Sequence, residues 1–192
     1  MHNEIKEAWK NCIYLYVQPG KFTLEPAEKK GAARRIINRY LLPILVIASI
    51  PAFFVLSIDY SWHIALFKTI INFIALYIGA WGIYGITCYY VTDSPLGNKR
   101  ESYIAPLVVN SFTIYVIPIS LFYANELHTW RYIAGAIALY YTIRVATSGT
   151  LSSPDIENKI KSNTIILICV TTVTFPFLIQ RILNLFFNLP MS

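Results

Sequence analysis

Charged side chains are scarce in this sequence. Only 14% of the 192 residues are Asp, Glu, Lys or Arg, and 56% are hydrophobic; an average soluble domain carries about 25% charge. The mean hydropathy is +0.51. The apolar residues form long runs, and the few charges lie between them. This distribution excludes an ordinary soluble domain, whose core could not enclose so much apolar surface, and predicts an integral membrane protein.

Residues suited to metal, redox or acid–base chemistry are also few. The three cysteines, Cys12, Cys88 and Cys169, are odd in number and have no CxxC spacing, and the three histidines are scattered. No disulfide framework, metal site or cofactor is therefore expected. No Asp or Glu lies deep within an apolar run, which argues against an intramembrane enzyme or a proton-coupled transporter. A non-enzymatic protein is expected.

The apolar runs predict an all-α membrane protein. Since a helix needs roughly 20 apolar residues to cross the bilayer, we expect a bundle of five transmembrane helices in residues 40–190, preceded by an N-terminal amphipathic interfacial helix. The fourth span is long enough only if Arg131 and Arg144 reach opposite membrane surfaces. A short apolar tail after Arg181 either lengthens the fifth helix or lies along the interface. The predicted spans are 40–58, 69–91, 103–124, 130–147 and 163–181.

The positions of the basic residues predict the orientation. With five spans, 13 of the 16 Lys and Arg residues fall on one side: eight in residues 1–39, two in the loop 92–102 and three in the segment 144–161. Without the fourth span, that number falls to 11. Since the side richer in Lys and Arg faces the cytoplasm, the N-terminus is predicted inside and the C-terminus outside.

Residues 1–39 form the predicted cytoplasmic N-terminal segment. Within residues 1–17, apolar side chains including Trp9 recur on one helical face and charged side chains occupy the other. This pattern predicts an amphipathic helix on the membrane surface; docking on the protein's own loops is the alternative. Trp9 and the basic cluster that follows are the predicted contacts with anionic headgroups or a partner, although topology setting alone accounts for the charge. The cluster comprises Lys29, Lys30, Arg34, Arg35 and Arg39.

Polar and small residues also occur inside the predicted spans. Asn72 and Asn110 are expected to be buried amides that bond across helices, with a substrate-lining role as the alternative. Gly79, Gly82 and Gly85 are spaced three residues apart in the second span. Small residues at this spacing let helix backbones approach closely, so close packing is expected. The serines and threonines of the spans are expected to bond to the preceding turn or to join helices.

The loop before the fifth span carries a family resemblance. Residues 139–159 read LYYTIRVATSGTLSSPDIENK, which resembles the Yip (Ypt-interacting protein) family. An N-terminal amphipathic helix ending at Pro19 and a first span that opens with YLLPIL are similar too. The resemblance implies a five-span protein with a cytoplasmic N-terminus, and the short N-terminal segment suggests a bacterial relative in the cytoplasmic (inner) membrane. The residues that match the loop pattern are Tyr140, Gly149, Pro154, Asp155 and Lys159.

Two functions are open at this point. The resemblance implies a non-enzymatic membrane adaptor or organiser that acts through protein or lipid contacts on its cytoplasmic face. The chain lacks the longer N-terminal region of the eukaryotic branch, so a Rab-type GTPase partner is not implied. The alternative is a small transporter, channel or lipid-moving protein that uses Asn72, Asn110 and Arg144. A membrane or cytosolic protein partner and an oligomer both remain open, and a nucleic-acid partner is not expected.

Overall fold

The described residues are all helical or lie in short connections. The structure, a computed structural model, describes Lys6, Lys10, Arg34 and residues 37–91, 100–121, 128–145, 158–187 and 189. No strand occurs among them, which confirms the predicted all-α class for this part of the chain. A π-helical turn, Ile37–Leu41, leads into the first of five long helices. The helices are α1 (Leu42–Asp59), α2 (Trp62–Tyr90), α3 (Arg100–Leu121), α4 (His128–Val145) and α5 (Asn158–Phe186).

Three helices are long and apolar enough to cross a membrane. They are α1 together with the preceding π-helical turn, α2, and the part of α5 from Lys161 to Phe186. Helices are the expected form of these runs, because backbone groups in hydrocarbon must bond within their own segment. The sequence-based prediction of a membrane-embedded chain is therefore supported by length and composition among the described residues.

Two helix ends differ from the predicted spans. Helix α2 begins at Trp62, seven residues before the predicted second span. Lys68, which precedes the predicted span 69–91, therefore lies inside α2 and is buried. The helix continues past this cation because its ammonium packs over the Tyr60 ring, 3.8 Å from the ring centroid. At the other end of the chain, α5 runs on to Phe186, so the apolar tail lengthens the fifth helix.

Helix α3 occupies the centre of the bundle. It packs against α1, α2, α4 and α5. Every residue from Leu107 to Val116 is buried, on all sides of the helix. A helix that is buried all round must be enclosed by neighbours on every side, and the other four helices supply those neighbours here.

Helices α2 and α5 pack antiparallel along most of their length. Three contacts show this, because the residue numbers increase along α2 while those of the α5 partners decrease. The contacts are Phe67 with Phe187, Gly79 with Pro176, and Tyr90 with Asn163. The start of α2 and the end of α5 thus share one end of the bundle, which we call the turn end because the α1–α2 turn lies there. The end of α2 and the start of α5 share the other end, which we call the basic end. The start of α1 lies toward that end, where the Tyr77 hydroxyl donates to Asn38 Oδ1.

Aromatic side chains mark both ends of α2. Trp62 is exposed at the turn end, and Tyr89 and Tyr90 are exposed at the basic end. The 29 residues of α2 span about 42 Å at 1.5 Å per residue, which matches a bilayer with its headgroup layers. Tyr and Trp prefer that interfacial depth, so these exposed rings suit a helix that crosses the membrane.

Little of the N-terminal segment is described. Lys6 and Lys10 have helical backbone and exposed side chains, and both belong to the polar face of the predicted amphipathic helix. The rest of that helix lies outside the described residues, so it stays a prediction.

Candidate functional site

Exposed basic and aromatic side chains gather at the basic end. Arg39 lies in the π-helical turn, and Arg144 lies in the last turn of α4; both are exposed. Tyr89, Tyr90 and Tyr140 are exposed as well, with 84%, 52% and 57% of their surface accessible. We call these five residues the basic surface. They belong to three elements, namely the π-helical turn before α1, α2 and α4.

Local contacts orient the side chains of the basic surface. The Arg39 guanidinium carbon lies 6.0 Å from the Tyr40 ring centroid, within the distance of a cation–π contact. The Tyr140 and Tyr141 rings meet edge to face at 5.3 Å. The Asn163 amide donates to the Tyr90 hydroxyl over 3.1 Å. Guanidinium and phenol groups held in this way can bind anionic oxygens of lipids or of a protein partner.

Several predicted contact residues are not described. Arg34 is helical and exposed, as expected for the basic cluster. Lys159 lies in the first turn of α5, and its side chain is not described. The other predicted contacts lie outside the described residues, and so do three residues of the family loop pattern. The former are Trp9, Lys29, Lys30 and Arg35, and the latter are Gly149, Pro154 and Asp155.

The three intramembrane polar residues are not brought together. Asn110 is buried at the middle of α3, and its Nδ2 makes no hydrogen bond within the described part of the chain. The predicted hydrogen bonding of this amide across helices stays a prediction. Asn72 is only half-buried, because Lys68, Ile71 and Ala75 occupy the part of α2 that faces the bundle. Arg144 is exposed at the basic end, away from the midpoint of α3.

Besides Asn110, buried hydroxyl groups lie inside α2, α3, α4 and α5. The neighbouring Ser111 hydroxyl lies 3.3 Å from the Thr172 hydroxyl of α5. Thr87 on α2 and Thr142 on α4 are fully buried. The Thr87 hydroxyl has no hydrogen-bond partner among the described residues, whereas the Thr142 hydroxyl lies against the Cys169 thiol of α5. We call these five residues the interior polar group. No sequence signal distinguishes them, since a threonine in an apolar helix normally bonds to its own preceding turn.

Six hydroxyls of the spans, including that of Thr172, bond to their own helix as the sequence predicted. Each donates to a carbonyl three or four residues earlier in its own helix, which removes its need for another partner. The residues with such bonds are Ser49, Ser57, Thr69, Thr171, Thr172 and Thr174.

Two of the three glycines of α2 allow close packing against α5. A Cβ atom added at Gly79 would lie 2.9 Å from Cγ of Pro176, and one added at Gly82 would overlap the Phe175 ring. The predicted role in close helix packing is confirmed at both positions. It is wrong at Gly85, where an added Cβ would meet nothing within 4 Å.

Comparison with known proteins adds no identification. No protein-family model matches the chain, no curated protein matches it, and no solved structure matches it. The resemblance to the Yip family therefore stays a prediction.

Proposed function

We propose that this chain is a five-span membrane adaptor or organiser without enzymatic activity, which binds its partners through the basic surface. The observation that carries the proposal is the position of α3. Because this helix is buried on every side from Leu107 to Val116, the axis of the bundle is filled by the chain itself. Recognition then falls to surface groups, and the exposed Arg39 and Arg144 of the basic surface are the candidates for it.

The α2–α5 pair supports the five-span topology. Two antiparallel membrane helices must have an even number of crossings between them in the sequence. Helices α3 and α4 lie between α2 and α5 in the sequence, and α3 packs against both α1 and α5. We therefore assign one membrane crossing to α3 and one to α4. With α1, α2 and α5 this makes five spans, and the excess of Lys and Arg orients the basic end toward the cytoplasm.

The chemistry of the basic surface favours an anionic partner. Arg39 and Arg144 each contribute about 1 kcal/mol of attraction near a negatively charged membrane surface. The phenol rings of Tyr89, Tyr90 and Tyr140 supply apolar contact area with a hydrogen-bonding tip. This combination suits anionic lipid headgroups or an acidic segment of a protein held beside them. A role in membrane organisation also agrees with the resemblance to the Yip family.

Site-specific crosslinking in cells tests the adaptor function. A photoreactive amino acid replaces Tyr89 or Tyr140 at the basic end and, in the control, the exposed Trp62 at the turn end. We expect a defined protein or lipid adduct from the two basic-end positions and none of the same mass from position 62. Arg39→Ala combined with Arg144→Ala should remove the adduct. An unchanged adduct in that double variant, or the same adduct from position 62, contradicts the proposal.

One observation favours the second candidate, a small transporter or channel. The amide nitrogen of Asn110 is buried without a partner at the middle of α3, beside the Ser111–Thr172 pair at the middle of α5. Deep polar groups of this kind mark the path of a substrate in many membrane proteins. Flux through liposomes that carry the purified protein, lost on Asn110→Leu in a protein that remains folded, would decide for transport and against the adaptor.

A further inference from the structure

Lys68 is the most buried charged side chain among the described residues. It has 5% of its surface exposed and lies in the second turn of α2. Within the described part of the chain, its one contact with a charged or aromatic group is the Tyr60 ring, 3.8 Å from the ammonium nitrogen. Asp59, at the end of α1, is exposed and forms no ion pair with it. A cation so enclosed is costly without an anionic partner.

Asn184 lies at the same end of the bundle and also has an unmet hydrogen-bonding group. It belongs to the last turn of α5, is 8% exposed, and its Oδ1 has no hydrogen-bond partner in the described chain. The Phe67 and Phe187 rings pack at 5.3 Å, which fixes the register of α2 against α5. Lys68 is one residue from Phe67, and Asn184 is three residues from Phe187. The two polar side chains therefore lie within about one helical turn of the same level.

The depth of this pair matches the boundary of the hydrocarbon layer. Lys68 lies six residues after Trp62, or about 9 Å along α2. Helix α2 exceeds the 30 Å hydrocarbon core by about 6 Å at each end. The Lys68 backbone thus lies about 3 Å inside the core, and its side chain reaches the level of lipid phosphates. Arg181, half-buried one turn before the end of α5, adds a second cation to this end.

We propose that Lys68, Tyr60 and Asn184 form a site for a phosphate ester whose headgroup also carries a hydrogen-bond donor, as phosphatidylethanolamine and phosphatidylglycerol do. The Lys68 ammonium binds the phosphate oxygens. The ammonium or hydroxyl of the headgroup donates to Asn184 Oδ1. A choline headgroup has the phosphate but no hydrogen-bond donor, so it can bind Lys68 but cannot donate to Asn184 Oδ1. This site is independent of the basic surface, which lies at the opposite end of the bundle.

Lipid binding by the purified full-length protein in micelles tests the proposal. Dissociation constants are measured by native mass spectrometry for phosphatidylethanolamine, phosphatidylglycerol and phosphatidylcholine of equal chain length. One hydrogen bond to Asn184 predicts binding of the first two about fivefold tighter than that of the third. Lys68→Met should weaken all three about tenfold or more, since a charged hydrogen bond is lost. Asn184→Leu should abolish the preference over phosphatidylcholine and leave phosphate binding in place.

Controls separate the site from general charge and from soluble ligands. Lys161→Met removes a cation from α5 at the opposite end and should leave all three constants unchanged. Lys68→Arg should keep binding and shows that the fold tolerates a change at this position. Equal binding of phosphatidylcholine and phosphatidylethanolamine by the wild-type protein would overturn the proposal. Binding of glycerophosphoethanolamine or inorganic phosphate as tightly as the lipids would assign the site to a soluble phosphate and overturn its assignment to lipid.

Discussion

Thr87 and Thr172 are both fully buried, yet their hydroxyls are in opposite situations. The Thr172 hydroxyl donates to the Ile168 carbonyl over 2.6 Å and lies 3.3 Å from Ser111. The Thr87 hydroxyl has no hydrogen-bond partner among the described residues. A buried polar group without a partner costs roughly 1–3 kcal/mol, so the same residue type stabilises one position and destabilises the other.

This difference predicts opposite effects of one substitution. Thr87→Val replaces an unbonded hydroxyl with a methyl group and should raise the free energy of unfolding by about 1 kcal/mol. Thr172→Val breaks its helix-joining contact and should lower it by about 0.6 kcal/mol. Thermal unfolding of both variants in the same detergent measures the effect. A destabilised Thr87→Val protein would mean that this hydroxyl does have a partner.

The glycines of α2 predict a second contrast between matched substitutions. At Gly79 an added methyl group meets the rigid Pro176 ring, so Gly79→Ala should cost about 1–3 kcal/mol through overpacking. At Gly85 the space is open, and alanine favours the helix by up to about 1 kcal/mol. The order of melting temperatures should therefore be Gly85→Ala at or above the wild type and Gly79→Ala below it. The reverse order would contradict the packing of α2 against α5.

Single polar residues were the least predictable part of the sequence. Lys68 falls outside the second apolar run, so a count of uninterrupted apolar residues places it before the span. Its burial depends on the Tyr60 ring, a contact that the α1–α2 turn creates and that no spacing rule encodes. Asn72 was expected to be buried like Asn110, yet the rotation of α2 leaves it half-buried.

At the scale of whole helices, α1 and α3 differ in which faces are buried. In α1 the buried residues Ile44, Leu45, Ala48, Ala52 and Leu56 follow helical spacing, and Val46 and Ile50 between them are exposed. In α3 the whole circumference is buried from Leu107 to Val116. The first helix therefore has one packed face, whereas the third is packed all round.

An alanine scan distinguishes these two environments. In α3, Leu107→Ala and Phe112→Ala should each cost about 2–5 kcal/mol, and no position from 107 to 116 should be silent except those already small. In α1, Leu45→Ala should cost a similar amount, while Ile50→Ala should cost little because its side chain is exposed. Stability of each variant in micelles gives the pattern. If the α3 positions that tolerate alanine recurred every three or four residues, one face of the helix would be unpacked. That result would contradict the central position of α3.

The positions of the helices were predictable, but their arrangement was not. Backbone groups in hydrocarbon must bond internally, so long apolar runs such as 40–58 identify helices with little ambiguity. The side of a helix that faces its neighbours is harder to infer, since lipid-facing and core-facing residues are both apolar. Ile50 and Leu107 look alike in the sequence, yet the first is 55% exposed and the second is fully buried. The antiparallel α2–α5 contact depends on Gly79 and Gly82, whose spacing indicated close packing but not the partner.

At the scale of the molecule, the proposed topology places the two ends of the bundle in different compartments. In a chain whose native cysteines are replaced by serine, His63→Cys at the turn end and Arg144→Cys at the basic end provide exposed labelling sites. A membrane-impermeant maleimide should label position 63 in intact cells and position 144 only in inverted vesicles. Labelling of both positions from the same side would contradict the five-span arrangement.

The pairing of α2 with α5 also bears on how the protein is made. The surface around Gly79 is covered by a helix whose Pro176 is synthesised about a hundred residues later, or roughly 5–20 s at ordinary translation rates. During that interval the nascent chain presents a bare groove in the bilayer, open to insertion factors and to quality-control proteases. Ribosome stalling or truncation before the last helix should therefore leave a chain that is inserted but short-lived.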